Sequence, residues 1–413
     1  MMVVNMQRMT LLDRLSEVNW SALHHAYGPA EDVPDLLRAL VDSDKASPPL
    51  CAAAERAGRE VRDHVEWTLW GNVFHQGTRW QVTAKVVPFL AEILRQGPND
   101  DRLRRFLISY LHHLAIGYPE DAFPAPIDPE EAFRELDGMI DPGGEPDYDN
   151  DVLTGIWARD SYLAVEESID TISPFIPAED EETALEAITL VASFPRCASR
   201  IVPLLRDVAR TRRDQRAAHA VVSLSQLAGA DALEDADLLV AADDRAVAIQ
   251  AACAAVLADP DRASDEAIAL LTAPLGDIAE TRSVHAGSLT RLVGRSLARL
   301  PDEHRERAID AIALQHRAAN PLERVSLTAS LLGLAFHGQR APASAADLTP
   351  LQRRAIEAIR DYGGFMIGNA HFSNYCLMVR DWGLPDSQEG LRNWLDERDP
   401  TAQIASKPWW KFW

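Results

Sequence analysis

The sequence predicts an all-α fold in which antiparallel helix pairs stack into an α-solenoid. Ala, Leu, Arg, Glu and Asp dominate the 413 residues, and strand-like alternation of Val, Ile, Thr and Tyr is scarce. Apolar residues recur at helical spacing in segments of about 10 to 16 residues, separated by short breaks. Helices this short do not bury an apolar face alone, whereas stacked pairs do. At about 40 to 47 residues per pair, the chain accommodates about eight or nine repeats.

Residues 1–117 are predicted to form the first group of helical repeats. The turn signal at 27–29 precedes a helix that includes Pro34 in its first turn. Prolines 48 and 49 open the next helix, and its apolar positions, spaced mostly by four, run on toward Trp67. We therefore expect one continuous helix over this second stretch.

The segment 67–94 is predicted to contain the turn between two packed helices, the second of which starts near Thr83. Its polar cluster is His75, Gln76, Gly77 and Thr78. The glycine is expected to supply an unusual backbone angle, while the His and Gln tie the turn by hydrogen bonds. The alternative is a polar cluster that lines a groove, with the His as ligand or proton donor. The aromatic residues expected to fill an N-terminal core are Trp67, Trp70, Phe74 and Trp80.

An acidic insertion rich in Pro and Gly interrupts the helical pattern at residues 118–151. It contains six prolines and is predicted to be a long loop, with one short helix near residues 130–136. Between positions 121 and 190 the chain has twenty Asp and Glu against two Arg, a balance of −18. Most of the net charge of −22 is therefore concentrated in this insertion and the helices after it.

This acidity indicates a protein partner with a basic surface. It disfavours nucleic acid and anionic membranes, because binding to both relies on Lys and Arg contacts. The alternative is that the charge serves solubility alone. The partner-binding residues that we predict are Glu130, Glu131, Asp147, Asp149, Asp151, Glu166 and Glu167.

Residues 152–413 are predicted to continue the same solenoid through a further series of short helices. Two of its breaks are alike. In each, an Asp comes shortly before an Arg, which is Arg216 in the first break and Arg245 in the second, and an Ala-rich helix follows. The Asp is expected to cap its helix, and the Arg to bridge to an Asp of the next repeat. The tail KPWWKFW either caps the last repeat or acts as an exposed anchor.

Four stretches carry a resemblance to a known family: NWSALHHAYGPAEDVPDLLRAL, GNVFHQGTRWQVTAKVVPFLAEIL, YLAVEESIDTISPFI and ALEAITLVASFP. Together they resemble a family of uncharacterised bacterial HEAT-repeat proteins that is frequent in actinobacteria. The resemblance covers about residues 18–275. It implies an α-solenoid and a cytoplasmic location, and it implies no catalytic residues.

The sequence predicts no metal site and no cofactor. The four Cys are far apart, HExxH, GxSxG and phosphate-loop patterns are absent, and adjacent His pairs point apart on a helix. Asp147, Asp149 and Asp151 have the spacing of a calcium loop, but Val152 replaces its Gly and Ala158 its final Glu. A solvated acidic loop is the preferred interpretation, and a weak calcium site is the minority one.

We therefore expect a non-enzymatic protein-binding scaffold, of which one version is an immunity or regulatory protein that acts against a basic partner. The alternative is an enzyme on a HEAT scaffold, such as a DNA-base glycosylase or a tetrapyrrole lyase. A glycosylase needs a basic groove, so the surface charge discriminates between the two. Two arginine clusters keep the alternative open: Arg102, Arg104 and Arg105, and Arg210, Arg212, Arg213 and Arg216.

Overall fold

The computed structural model describes residues 11–97, 100–123, 129–139, 151–279 and 281–396. Within these ranges the protein is an all-α fold with three very short β-hairpins. Two compact units divide the chain, residues 1–208 and residues 209–413. The predicted boundaries at 117 and 151 fall inside the first unit, and they stay predictions.

The first unit consists of helices that contact one another near in sequence. The helices are α1 (Val33–Val41), α2 (Pro48–Arg56), α3 (Val61–Asn72), α4 (Thr83–Arg95), α5 (Asp101–Ile116), α6 (Pro119–Ala122), α7 (Pro129–Met139), α8 (Asp151–Glu167), α9 (Ile169–Ile172), α10 (Glu181–Val191) and α11 (Ala198–Thr211), which ends past the boundary. Of these, α4 contacts α5 and α8, α5 contacts α8 and α10, and α7 contacts α8.

The helices of the second unit are α12 (Gln215–Ala228), α13 (Leu233–Val240), α14 (Arg245–Ala258), α15 (Asp265–Thr272), α16 (Leu289–Leu297), α17 (Arg305–Ala318), α18 (Pro321–Phe336), α19 (Pro350–Tyr362), α20 (Ser373–Asp381) and α21 (Gln388–Leu395). Each helix from α12 to α19 contacts its successor or the helix after that. The series α12, α14, α16 and α18 is in contact from one member to the next, as are α15, α17 and α19.

Three two-residue antiparallel hairpins interrupt the helices. They are β1 (His24–His25) with β2 (Gly28–Pro29), β3 (Phe74–His75) with β4 (Thr78–Arg79), and β5 (Met366–Ile367) with β6 (Ala370–His371). The first two pack together, because the Ala26 amide donates to the Asn72 carbonyl and the Val82 amide donates to the His24 carbonyl. Each of these two is followed at the same spacing by a helix, α1 or α4.

Helix caps agree with the predicted break signals. The Asp214 side chain accepts hydrogen bonds from the first amides of α12, and Asp244 does so for α14. The predicted bridge from Arg to the next Asp takes another form. Arg245 donates to the carbonyls of Pro274 and Leu275, the latter at 3.1 Å, so it ties α14 to the segment after α15 through backbone oxygen.

Two sequence expectations are wrong in the first unit. The single helix expected from Pro48 toward Trp67 is broken into α2 and α3, because Gly58 adopts a left-handed backbone angle of φ +63° beyond the end of α2. Trp67 does not fill the core. Its side chain is 58% exposed, and the Arg59 guanidinium lies 4.3 Å from the ring centroid.

No single helix among the described residues is long and apolar enough to cross a bilayer. The segments Glu181–Val191 and Pro195–Thr211 meet the length and composition requirement only when joined across a bend of 101°. Every residue of α10 from Thr183 to Val191 is buried within the protein.

Candidate functional site

The predicted acidic region is built on an antiparallel pair of helices, α7 and α8, which we call the acidic helix hairpin. The Phe133 and Tyr162 rings lie 5.8 Å apart, and Asp137 accepts from Arg159 at 2.7 Å. The start of α7 thus lies beside the end of α8. A helix at residues 129–139 confirms the short helix expected inside the insertion.

Arg196 brings two of the predicted binding residues together. Its Nε lies 3.4 Å from a Glu130 carboxylate oxygen, and its Nη1 lies 3.6 Å from one of Glu166. The same guanidinium lies 5.3 Å from the centre of the Phe133 ring. Burial raises the pKa of Glu166, and the Arg196 charge opposes that shift. This arginine therefore fastens α7 to α8 and neutralises part of the acidic cluster.

The acidic helix hairpin keeps a strong negative charge after these contacts. The two helices carry eight carboxylates and two arginines, a net charge of −6. Glu130, Glu131 and Asp151 are exposed on it. Among the described residues, Glu135 and Asp151 lie in no ion pair. The remaining predicted binding residues of the insertion, Asp147 and Asp149, lie outside the described residues, so the calcium-loop alternative stays a prediction.

Glu166 and Glu167, neighbours in sequence, lie on different faces of α8. Adjacent helical residues point about 100° apart. Glu166 therefore faces Arg196, while Glu167 lines a cleft of about 710 Å³ between α8, α4 and the N-terminal segment. Two further carboxylates, Glu17 and Asp160, also line this cleft, together with Arg14 and Lys85.

A proline inside α4 lies at the cleft and frees a backbone carbonyl of the helix. Pro88 has no amide hydrogen, so the Ala84 carbonyl one turn earlier loses its helical donor. Both residues line the cleft. Sequence reasoning missed this place, although a proline within an apolar helical run is a visible signal.

The polar cluster at residues 75–78 forms the turn of the second hairpin. Gln76 and Gly77 have φ angles of +49° and +85°, as a tight two-residue hairpin turn requires. The His75 Nδ1 lies 3.0 Å from the Gly71 carbonyl oxygen, so that nitrogen carries a hydrogen. The Gln76 side chain is exposed, and Thr78 pairs with His75 across the strands. These contacts favour the turn-forming interpretation.

Arg79 is a largely buried cation next to this turn. Its Nη1 donates to the Gly77 carbonyl at 2.7 Å, and burial lowers its pKa. Its guanidinium also approaches Gly117, where a Cβ would lie 2.5 Å from Nη1. No carboxylate among the described residues forms an ion pair with it. The arginine therefore braces the turn of its own hairpin through a backbone oxygen and packs beside Gly117 at the end of α5.

Six of the seven arginines in the clusters that leave a DNA-acting enzyme open lie in ion pairs, and the seventh, Arg213, donates to the carbonyls of Arg210 and Arg212. In the first cluster, Arg102 contacts Asp63 at 2.5 Å and Glu66 at 2.9 Å. In the second, Arg210 contacts the buried Asp235 at 2.6 Å. The further contacts are Arg104 with Asp101, Arg105 with Asp180, and Arg212 and Arg216 with Asp214.

One Ser–His contact has the geometry of a nucleophile and its base. The Ser223 Oγ lies 2.9 Å from the His285 Nε2, and the His219 ring stacks at 5.3 Å on that of His285. All three side chains are buried, so a substrate has no direct access to the hydroxyl. Among the described ranges, no three His, Cys, Asp or Glu side chains are grouped as metal ligands would be.

Comparisons with known proteins add little to this description. No protein-family model matches the chain, and no curated protein matches it. A crystal structure of an engineered protein is similar at 14% identity with a TM-score of 0.27, over 91% of this chain and 100% of that chain. A likeness at that TM-score carries no argument about fold or function. The described part of the chain is an all-α protein whose helices pack against near neighbours in sequence.

Proposed function

We propose that the protein is a non-enzymatic binding scaffold whose acidic helix hairpin docks a partner protein with a basic surface. The observation that carries this proposal is the charge of −6 on two adjoining helices, one of which lies largely in solvent. On α7 only Pro129 is buried among the described side chains, while Phe133 and Leu136 are half-buried against α8.

The exposure of α7 suits a docking element. Among the described residues, its attachment includes the Phe133 ring, Leu136 against Gly155, and the ion pairs of Arg196 and Arg159. A helix held by so few apolar contacts belongs to the low-stability part of a fold, from which binding elements are commonly drawn. Negative charge on such an element accelerates encounter with a basic partner and selects against acidic ones.

A HEAT-like solenoid in the cytoplasm is the setting that we propose for this surface. The successive contacts within α12, α14, α16 and α18, beside those of α15, α17 and α19, are the layering expected of stacked helix pairs. One concrete version of the function is an immunity protein that neutralises a basic toxin such as a nuclease, or a regulatory protein with a similar target.

The test is to capture partners from a native lysate, purify the protein retained, and measure its binding to defined variants. In the main variant, Glu131→Lys and Glu135→Lys reverse two exposed charges on α7. The matched control, Asp261→Lys with Asp347→Lys, makes the same change in charge at exposed positions of the second unit.

We expect the α7 variant to bind at least about tenfold more weakly, chiefly through slower association, and with a smaller dependence on salt. The control should bind as the unaltered protein does. Equal affinity of the α7 variant and the unaltered protein would refute the proposal. Equal loss in both variants would show that net charge, and not this surface, controls binding.

A further inference from the structure

Arg79 in the first unit carries a positive charge in a largely buried place, and the described ranges supply it with no carboxylate. Burial is the cause of its lowered pKa, and no other charged group contributes to that shift. The absence of a countercharge is notable in a chain with a net charge of −22. A buried cation destabilises a fold unless a counter-ion compensates for the water it has lost. An anion from outside the chain is one way to supply that compensation.

One nitrogen of the Arg79 guanidinium remains open to such a ligand. Nη1 donates to the Gly77 carbonyl at 2.7 Å, and Nε is closed off from solvent without a partner. Nη2 also forms no hydrogen bond with the described residues, but it is not closed off, since the side chain is only half-buried. The N–H groups of Nη2 are therefore available to an oxygen that approaches from solvent.

Two glycines make room for this guanidinium. Gly77 in the hairpin turn and Gly117 at the end of α5 have φ angles of +85° and +95°, which other residues rarely adopt. A Cβ at Gly117 would lie 2.5 Å from the Arg79 Nη1 and 3.4 Å from the Gly77 carbonyl oxygen. A side chain at position 117 would therefore displace the arginine. The end of α5 and the hairpin turn are shaped to admit the cation.

Tyr118 supplies a second donor at the same turn. A Cβ at Gly77 would lie 3.0 Å from its ring, so the tyrosine covers the glycine whose carbonyl Arg79 contacts. The side chain is 43% exposed, and its hydroxyl forms no hydrogen bond within the part of the chain that the structure describes. The charged groups beside it are His113 and Glu120, which lie 3.9 Å from each other, and neither contributes to the pKa of Arg79.

We propose that Arg79 and Tyr118 form a binding site for an oxoanion, either a carboxylate or a phosphate group, where the second hairpin meets the end of α5. One anionic oxygen accepts from the Arg79 Nη2, and another accepts from the Tyr118 hydroxyl. A hydrogen bond to an ionised donor is stronger than one between neutral groups, and the low local dielectric strengthens it further. The bound anion compensates the charge that the fold leaves unpaired.

Acetate and inorganic phosphate distinguish the two sources of the oxoanion. Each is titrated into the full chain by calorimetry at a constant ionic strength of about 0.15 M, which sodium chloride maintains. The melting temperature is measured over the same concentrations. We expect at least one of the two anions to bind with a dissociation constant below about 10 mM and to raise the melting temperature as the site fills.

Two variants assign the binding to this place. Arg79→Met keeps a long apolar stem without the charge, and it should bind the anion at least about tenfold more weakly. Tyr118→Phe keeps the ring against Gly77 without the hydroxyl, and it should bind about threefold more weakly or worse. The matched control is Arg38→Met, which removes an exposed arginine of α1 and should leave binding unchanged.

Three results would overturn the proposal. The first is that neither anion binds the unaltered protein at 10 mM (a weak affinity). The second is that phosphate stabilises Arg79→Met as much as the unaltered protein, which would show exclusion of the salt from the protein surface. The third is unchanged binding by Tyr118→Phe, which also decides the matter if Arg79→Met does not fold.

The anion site uses no residue of the acidic helix hairpin. Its failure would therefore leave the proposed docking of a basic partner standing, and the loss of partner binding in the α7 variant does not test the anion site.

Discussion

Acid should destabilise the first unit through His112, a buried histidine on α5. The side chain is 3% exposed, and its Nε2 lies 2.9 Å from the Ser193 Oγ. Burial, with a smaller effect of the neighbouring His113, lowers the pKa of His112 from 6.5 to about 3. As the pH falls below 6.5, the unfolded chain takes up a proton that the folded chain does not. Stability linked to this group is therefore full above pH 6.5 and is lost between pH 6.5 and about 3.

The size of the effect follows from the two pKa values. At about pH 5 the unfolded imidazole is almost fully protonated, whereas the folded one is neutral, and the difference is about 2 kcal/mol relative to pH 8. The slope approaches about 1.4 kcal/mol per pH unit below pH 6.

The perturbation is His112→Gln, measured by urea unfolding followed by tryptophan fluorescence between pH 8 and pH 5. The Gln Nε2 reaches about the position of the imidazole Nε2, so a hydrogen bond to Ser193 is kept without a titrating group. We expect the variant to lose about 2 kcal/mol less than the unaltered protein over this range. The control, Ser193→Ala, keeps the imidazole and should lower stability by about 1 kcal/mol at every pH. Identical pH dependence of His112→Gln and the unaltered protein would refute the reasoning.

Three further predictions concern the turn, a helix cap and the arginine clusters. Gly77→Ala should lower the free energy of unfolding by about 1 to 3 kcal/mol, because φ at this position is +85° and the new Cβ would lie 3.0 Å from the Tyr118 ring. An unchanged melting temperature of this variant would contradict the assigned turn. Asp214→Ala removes the cap of α12 and should cost about 1 kcal/mol in urea unfolding, and a neutral result would count against the cap. In filter binding at about 50 and 200 mM salt, the protein should not retain duplex DNA on the filter, because Arg102 and Arg210 lie in ion pairs. Retention of DNA that falls steeply with salt would favour the enzyme alternative.

Local signals in the sequence were sufficient to predict most helices. The start of α4 at Thr83, the Asp-capped starts of α12 and α14 and the short helix in the acidic insertion follow from apolar spacing and capping residues. The break between α2 and α3 was missed, because a glycine in a left-handed conformation outweighs an apolar stripe that continues across it.

The candidate surface was only partly predictable. The concentration of carboxylates between positions 121 and 190 is visible in the sequence. The role of Arg196 is not visible, because its partners Glu130 and Glu166 are distant in sequence and meet only through the packing of α7 on α8. The two-residue hairpin at 75–78 was expected as a turn, but its pairing with the first hairpin depends on long-range contacts.

The sequence alone determined the helical class, the places where many helices begin, and the location of the negative charge, because these depend on residues within a few positions of one another. Tertiary structure alone decided which side chains are covered. It leaves Trp67 exposed, separates Glu166 from Glu167, and buries most of the Arg79 guanidinium beside Gly117. Burial depends on what packs against a residue from elsewhere in the chain, and no local pattern contains that information.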